Sequence, residues 1–257
     1  MIPKVIHYCW FGRNPLPKLA KKCILSWQKY FPNYEIKEWN EDNFDVYCCP
    51  YTKEAYIAKK YAFVSDYARF WILYQYGGIY FDVDVEVIKP MEHIVLHGPF
   101  MGFENNGEGQ DDFTKSLFGV IPSLGVNPGL GLGVTPGLAL YKEIIEYYEN
   151  EHFCTSEGKL NLTTVVTRVT NILLQKGLLR KNIIQNVAGV TIYPHEYFCP
   201  IRITDGKMFI TDNTMTIHHY AASWTSSTHR FLRKVVLFIG GVKFKLFLSR
   251  LLRKWKK

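Results

Sequence analysis

The first residues in this chain whose types and spacing could do chemistry are two carboxylates set two apart in an apolar run. The stretch "GGIYFDVDVEV", residues 77–87, consists of β-branched and aromatic residues suited to a buried strand, interrupted by Asp82 and Asp84. On an extended strand, side chains at i and i+2 share a face, so Asp82 and Asp84 stand together while Val83 and Val85 point the other way. Adjacent carboxylates repel unless something positive lies between them, and stripping them of water is costly. A hard divalent cation such as Mg²⁺ or Mn²⁺ meets that need and can in turn hold a diphosphate. The bland alternative is two acids on the solvent face of an edge strand, matched by lysines. Context favours the cation, because the pair follows a helix and a glycine turn at a strand end, where α/β sheets place ligands.

A frame for these acids can be read on either side of them. "PKVIHYCWF" reads as a first buried strand, "LAKKCILSWQKYF" has helical spacing, and "YEIKEWN" alternates as a second strand, which makes a βαβ opening. The stretch "TKEAYIAKKYAFVSDYARFWILYQYGG" reads as helix, with Thr52 or Ser65 as caps and the glycine pair as its stop. "IYFDVDVEVI" follows as a strand that ends at Lys89 and Pro90. Residues 98–137, rich in Gly, Pro and Asn, are too loose for regular elements throughout and are the expected place of substrate-contacting loops. "GLALYKEIIEYYENE" and "NLTTVVTRVTNILLQKGL" are helical, the second opened by an Asn or Thr cap; "GVTIYP", "KMFIT" and "TMTIHHY" are short strands.

A chain of 257 residues with 47% hydrophobic content can bury one large α/β core or two small ones. No internal repeat or low-complexity linker divides it, so the expectation is one catalytic domain over residues 1–228 with an appended tail at 229–257. The tail also explains the charge. The formal net charge is +8, but residues 229–257 hold ten Lys or Arg and no acid, leaving 21 basic against 23 acidic residues before them. A nucleic-acid binder would interleave basic and aromatic residues over a face of the fold, so this distribution argues against that class. Within the tail, Phe244, Phe247, Leu248, Leu251, Leu252 and Trp255 fall at helical spacing among Lys243, Arg250, Arg253, Lys254 and Lys257. Such a basic amphipathic helix suits an anionic membrane surface, the alternative being a helix packed on the domain with its basic face exposed. "VVLFIGGV" is too short to span a bilayer. The six cysteines lack zinc-type spacing and no hydrophobic signal peptide opens the chain, which points to a cytosolic protein with reduced thiols, peripheral on the inner face of the plasma membrane.

The segment "FVSDYARFWILYQYGGIYFDVDVEV" closely resembles the donor-site signature of glycosyltransferase family 32, whose members contain a sugar-binding region with a DXD motif, and is similar to the core of the large clostridial glucosylating toxins. The opening "IPKVIHYCWFG" and the late "IHHYAASW" fit the same family's first strand and C-terminal metal segment, so three separated motifs in order cover most of residues 1–228. The resemblance implies a GT-A fold, a Rossmann-like α/β fold with a mixed central sheet. It also implies a nucleotide-sugar donor, a divalent metal (Mn²⁺ or Mg²⁺) and retaining transfer.

Residue roles follow from the resemblance. Asp84 is the expected direct metal ligand and Asp82 its partner, reaching the metal or the donor ribose. Asp66 and Arg69, three apart and so neighbours on one helical face, fit a surface salt bridge or a site pair equally by spacing alone; in the family the corresponding pair contacts the donor sugar hydroxyls and ribose. Trp10 corresponds to a tryptophan that stacks on uracil in the similar toxins, which favours a UDP-sugar. Tyr80 shares the face of Asp82 and Asp84 by alternation. Of the two histidines in "TIHHYAASW", alternation turns one toward the site; His219 is the expected third metal ligand, with His218 next. Ser223 and Trp224 would close over the diphosphate, and Asn40 and Asn43 would touch the nucleotide. Asp111 and Asp112 are spare acids to which no nucleophilic role is given.

The expected activity is metal-dependent retaining hexosyl transfer to a glycan acceptor carried on a polyprenyl lipid, in capsular or other surface polysaccharide synthesis. The alternatives are a glucosylating effector that modifies a protein and, in a different class, a non-catalytic nucleic-acid-binding protein.

Overall fold

The structure is a computed structural model that describes residues 1–105, 124–202 and 206–221. Strand β1 (Val5–Cys9) is buried from Ile6 onward, and α1 (Lys18–Tyr30) returns the chain to β2 (Glu35–Trp39), which lies parallel to β1 as the βαβ reading expects. Helix α1 places Ala20, Cys23 and Trp27 on one buried stripe at helical spacing. Two helices follow, α2 (Pro50–Ile57) and α3 (Tyr61–Tyr76), then β3 (Gly78–Tyr80), β4 (Val85–Val87), α4 (Glu92–His97), β5 (Phe100–Gly102) and β6 (Leu132–Val134). The chain continues through α5 (Ala139–Glu149), α6 (Val165–Gln175), β7 (Gln185–Val187), β8 (Val190–Tyr193), α7 (His195–Phe198) and β9 (Thr216–His218).

Seven strands form one sheet in the order β2-β1-β3-β6-β5-β8-β7, while β4 and β9 form a separate two-stranded sheet. Within the large sheet β1 runs parallel to β2 and β3, and β5 parallel to β8; β6 is antiparallel to both of its neighbours, and β7 to β8. This is the mixed α/β arrangement expected of a GT-A domain. Among the described residues no helix is long and apolar enough to cross a membrane.

Three expectations are corrected here. The long helix is two helices: Lys60 N–H reaches Ala55 O at 2.8 Å and Lys59 N–H reaches Tyr56 O at 2.9 Å, the paired bonds that end a helix when the next residue is left-handed. That residue is Lys59, with φ 56°, not glycine, so nothing in the residue types marks the break; Thr52 and Ser65 lie inside the helices, and Cys49 and Lys60 occupy the cap positions. Residues 98–137 hold β5 and β6, short strands that pair through backbone and need no β-branched run. "KMFIT" forms an isolated bridge, Met208 to Ile201, and its side chains are exposed. By contrast α6 is capped as expected, Thr164 accepting from Thr167 N–H.

The glycine pair after α3 is required by close approach. Gly78 has φ 101°, and a Cβ there would lie 2.7 Å from Val5 O, so only glycine lets β3 lie this tightly against β1. His7 fastens the same corner: its Nδ1 accepts from Trp39 Nε1–H at 3.0 Å, which leaves the proton on Nε2 to be donated to Gly77 O at 3.0 Å. Burial pushes the His7 imidazole down to about 4 against an ordinary 6.5, the Gly77 bond only partly offsetting it. The unfolded chain therefore takes up a proton between about pH 6.5 and pH 4 that the folded chain refuses, and folding stability present above that window is lost as pH falls through it. Urea unfolding is expected to show wild type losing about 3 kcal/mol more than His7→Gln between pH 7 and pH 4; parallel losses would remove His7 from the account.

Candidate active site

Asp82 and Asp84 meet through a turn, not along a strand. The strand expected over 79–88 stops at Tyr80; Val85 N–H bonds back to Asp82 O at 3.0 Å, and the chain then leaves the large sheet to pair with β9. The same-face rule for i and i+2 therefore does not hold them together. What does is anchoring on both sides: Asp82 N–H bonds Gly129 O at 3.3 Å, and Trp27 of α1 donates its indole N–H to Val85 O at 2.8 Å. Trp27 packs against Tyr8 and Phe81 and is fully buried, so the turn sits on a rigid floor.

The β4–β9 register sets Val85 opposite His218. His218 Nε2 then lies 3.1 Å from Asp84 Oδ1 and 4.0 Å from Asp82 Oδ2. One ligand atom from each of Asp82, Asp84 and His218 lies within 4.8 Å of the others, the sole such group of three among the described residues. His219, the expected ligand, is turned away: its Nε2 pairs with Glu86 Oε2 at 2.8 Å, an oxygen that Lys22 Nζ also reaches at 2.8 Å. Alternation did separate the two histidines, but register decides which one faces inward, and register is not visible in nine residues.

Burial works against every charge in this group, and neighbours decide the outcome. Burial alone would raise the Asp84 carboxyl, but the His218 imidazole and the Ala221 N–H at 2.7 Å hold it down to about 2. For Asp82 burial prevails over Arg69, and with Asp84 adjacent its carboxyl sits above the usual range. His218 is pushed down by burial and more strongly up by Asp84 and Asp82, so its imidazole sits above its ordinary value. His218 Nδ1 is buried without a hydrogen-bond partner. Two carboxylates and one imidazole fit a divalent ion of the Mn²⁺ or Mg²⁺ kind, the nitrogen donor favouring Mn²⁺ of the two.

Beside this cluster α3 contributes a buried ion pair. Arg69 Nη2 lies 2.8 Å from Asp66 Oδ1 and 3.3 Å from Asp82 Oδ1, and Arg69 Nε donates to Ser65 O at 3.1 Å. Arg69 and Asp66 are 3% and 7% exposed, so the surface salt bridge allowed by spacing is excluded. Burial raises Asp66 to about 7 even with Arg69 attached. Tyr80 lies where alternation put it, donating its hydroxyl to Asp82 Oδ1 at 3.2 Å while the Arg69 guanidinium rests over its ring.

Several residues of the site were not found in the sequence. Gly129 meets Asp82 so closely that a Cβ would collide with the carboxylate. Its N–H donates to Asn127 Oδ1 at 2.7 Å, and Asn127 Nδ2 donates to buried Glu104 at 2.9 Å. Tyr220, left-handed at φ 49°, stacks edge-on to His218 at 4.1 Å. The Gly, Pro and Asn content of 98–137 singled out the region of Asn127 and Gly129 but not the residues; for Tyr220 no local signal exists.

Trp10 leaves β1 one residue past its end, at the sheet edge from which Asp82 leaves β3, because His7 pairs with Tyr80. It is half-buried and donates its indole N–H to Asn14 O. Asn40 and Asn43 are occupied in the loop after β2: Asn43 Oδ1 accepts from Asn40 N–H at 2.9 Å, and Asn40 Oδ1 accepts from Asp42 N–H at 2.9 Å. Ser223, Trp224, Asp111, Asp112 and the tail at 229–257 lie outside the described residues.

Residues 17–101 match the family model described as "Glycosyltransferase sugar-binding region containing DXD motif". This segment resembles a glycosyltransferase sugar-binding region. Its DXD is Asp82-Val83-Asp84, and it includes Asp66, Arg69 and Tyr80. Over 111 residues the chain is 27% identical to inositol phosphoceramide mannosyltransferase 1 of Schizosaccharomyces pombe (strain 972 / ATCC 24843), covering 39% of this chain and 33% of that protein. It is 32% identical over 106 residues to inositol phosphoceramide mannosyltransferase 3 of the same organism, covering 38% and 28%. An uncharacterized glycosyltransferase, L373, of Acanthamoeba polyphaga mimivirus is 32% identical over 136 residues, covering 48% and 50%. The chain thus matches half or less of the length of these relatives. Among solved structures, the PaToxG glycosyltransferase superposes with TM-score 0.47 at 18% identity, over 68% of this chain and 70% of that one. A galactosyltransferase, LgtC, in complex with donor and acceptor sugar analogues, gives TM-score 0.40 at 12% identity, over 90% and 92%.

Proposed function

We propose that this chain is a metal-dependent, retaining hexosyltransferase that takes its sugar from a nucleoside-diphosphate donor. The observation that carries the reading is the convergence of Asp82, Asp84 and His218, within 4.8 Å, beside the buried Arg69–Asp66 pair at the edge of a sugar-binding region. Asp82, Asp84 and His218 would hold a divalent ion, which would supply positive charge to offset a diphosphate leaving group.

The chain's own residues do the rest. Asp66 and Arg69 face the hydroxyls of the donor sugar and ribose, and Tyr80 keeps Asp82 oriented by its hydroxyl bond. Trp10 offers an indole face to the base. Two relatives are named for mannosylating inositol phosphoceramide, which supports an acceptor carried on a lipid and adds mannose to the candidate hexoses. We read residues 1–228 as the catalytic domain and the basic segment 229–257 as its attachment to an anionic membrane, on the inner face of the plasma membrane, in synthesis of a capsule or other surface polysaccharide.

Calorimetric titration of UDP and GDP, with and without Mn²⁺, into wild type and Asp84→Ala tests this. UDP is expected to bind in a Mn²⁺-dependent way and to lose at least about 10-fold in affinity in the variant. A preference for GDP would move the donor to GDP-mannose. Binding of neither nucleotide under any metal condition would sink the donor-site reading.

A further inference from the structure

Away from the site, two adjacent cysteines are arranged in a way that chain geometry does not require. Cys48 N–H closes a turn onto Asp45 O at 3.2 Å, and Cys49 occupies the cap position of α2 with φ −148° and ψ 165°. Cys48 lies in a bend ahead of the extended Cys49, so strand alternation does not separate their side chains. Here both sulfurs reach one oxygen, Thr52 Oγ1, at 3.6 Å from Cys48 and 3.4 Å from Cys49. Thr52 Oγ1 also lies 3.1 Å from Cys49 O, and in each of the two sulfur contacts either atom can be the donor. Cys48 is exposed and Cys49 is buried.

We propose that Cys48 and Cys49 are a modification site, a vicinal dithiol that closes to an internal disulfide by exchange with a small-molecule disulfide of the glutathione type. The two thiols have different parts. A hydrogen bond from Cys48 outweighs burial and holds the Cys49 thiol down to about 6, aided by Thr52 and by the start of α2, while the Cys48 thiol is pushed up by the same bond. The buried sulfur is therefore the base and the resolving nucleophile, and the exposed one is the sulfur that meets the external disulfide.

The exchange balances in two displacements. Cys48 Sγ passes its proton to the Cys49 thiolate as it attacks one sulfur of the external disulfide. That S–S bond breaks, and the first small thiolate leaves and takes a proton from solvent. Cys49, giving up the proton it received, then attacks Cys48 Sγ and breaks the mixed disulfide, and the second thiolate leaves with that proton. Two protein thiols are oxidised and one disulfide is reduced to two thiols.

Three of the other four cysteines are shielded, and the fourth, Cys154, is half-buried. Cys9, Cys23 and Cys199 are buried, and burial pushes each thiol up to about 12, which keeps them protonated. The ring is also reversible, because adjacent Cα atoms are about 3.8 Å apart, whereas disulfides ordinarily span about 4.4–6.8 Å. A strained bridge of this kind opens to mild reductant. It would form at the first turn of α2, which packs on α3, the helix that carries Asp66 and Arg69.

The test exposes the folded full chain to excess glutathione disulfide, blocks remaining thiols with iodoacetamide and weighs the unreduced peptide holding both cysteines. The expected peptide has lost two hydrogens, retains no glutathione and is restored by mild dithiothreitol. Cys49→Ala is expected to retain one glutathione on Cys48, and Cys48→Ser to take up none. Cys48 is exposed, so its replacement serves even where Cys49→Ala loosens the fold. Glutathione retained on wild-type Cys48 without closure, or equal adducts on wild type and Cys49→Ala, overturns the proposal.

Discussion

Arg69→Ala is expected to destabilise the protein by about 3–5 kcal/mol and to abolish transfer, because one guanidinium serves the buried Asp66 carboxylate and the half-buried Asp82 carboxylate. Its Nη2 lies 2.8 Å from Asp66 and 3.3 Å from Asp82, and the side chain is 3% exposed, so truncation leaves both carboxylates without their buried cation. The loss has a pH signature. Burial already raises Asp66 to about 7 from an ordinary 3.8, so its ionisation opposes folding as pH rises through that window. Without Arg69 the window extends upward, and the stability gap between variant and wild type should widen from pH 5 to pH 8. Asp66→Asn placed on Arg69→Ala should recover part of the loss, and Arg69→Lys should keep more stability than activity, since an ammonium cannot reproduce the planar fork. Urea unfolding at the two pH values reads all four proteins. A gap independent of pH would mean that the cluster is held by packing and not by charge.

The parts of this molecule that were legible in sequence are those whose meaning is carried by residue type at short range. The βαβ opening, the Thr164 cap and the position of Asp66 and Arg69 on one helical face needed only periodicity and local hydrogen bonding. Asp82 and Asp84 were legible for a reason that proved indirect: their proximity comes from a turn pinned by Gly129 and Trp27, contacts separated in sequence by up to 58 residues. The helix break at Lys59 was hidden because its left-handed residue carries a side chain, so the punctuation that glycine supplies was missing. Tyr220, Asn127 and Glu104 belong to the site through strand pairing across the molecule, and pairing register is a tertiary fact.

The choice between His218 and His219 shows how much depends on that register, and it yields the sharpest functional contrast. His218→Ala should reduce metal-dependent transfer on the order of 10²-fold or more and raise the Mn²⁺ concentration needed for half-maximal activity about 10–100-fold. His219→Ala should stay within about 3-fold of wild type on both measures, because what it loses is a partly exposed pair with Glu86 that Lys22 still serves. The two residues are adjacent, so any effect that merely loosens β9 strikes both alike, and thermal melting of the two variants measures that shared part. A slip of β9 by one residue would exchange the faces of the two histidines, and the Val85–His218 pairing is what forbids it. Should His219→Ala prove the more damaging at equal melting temperature, the pairing of β4 with β9 in the working protein must differ by that one residue, and Asp84 would then face a different partner.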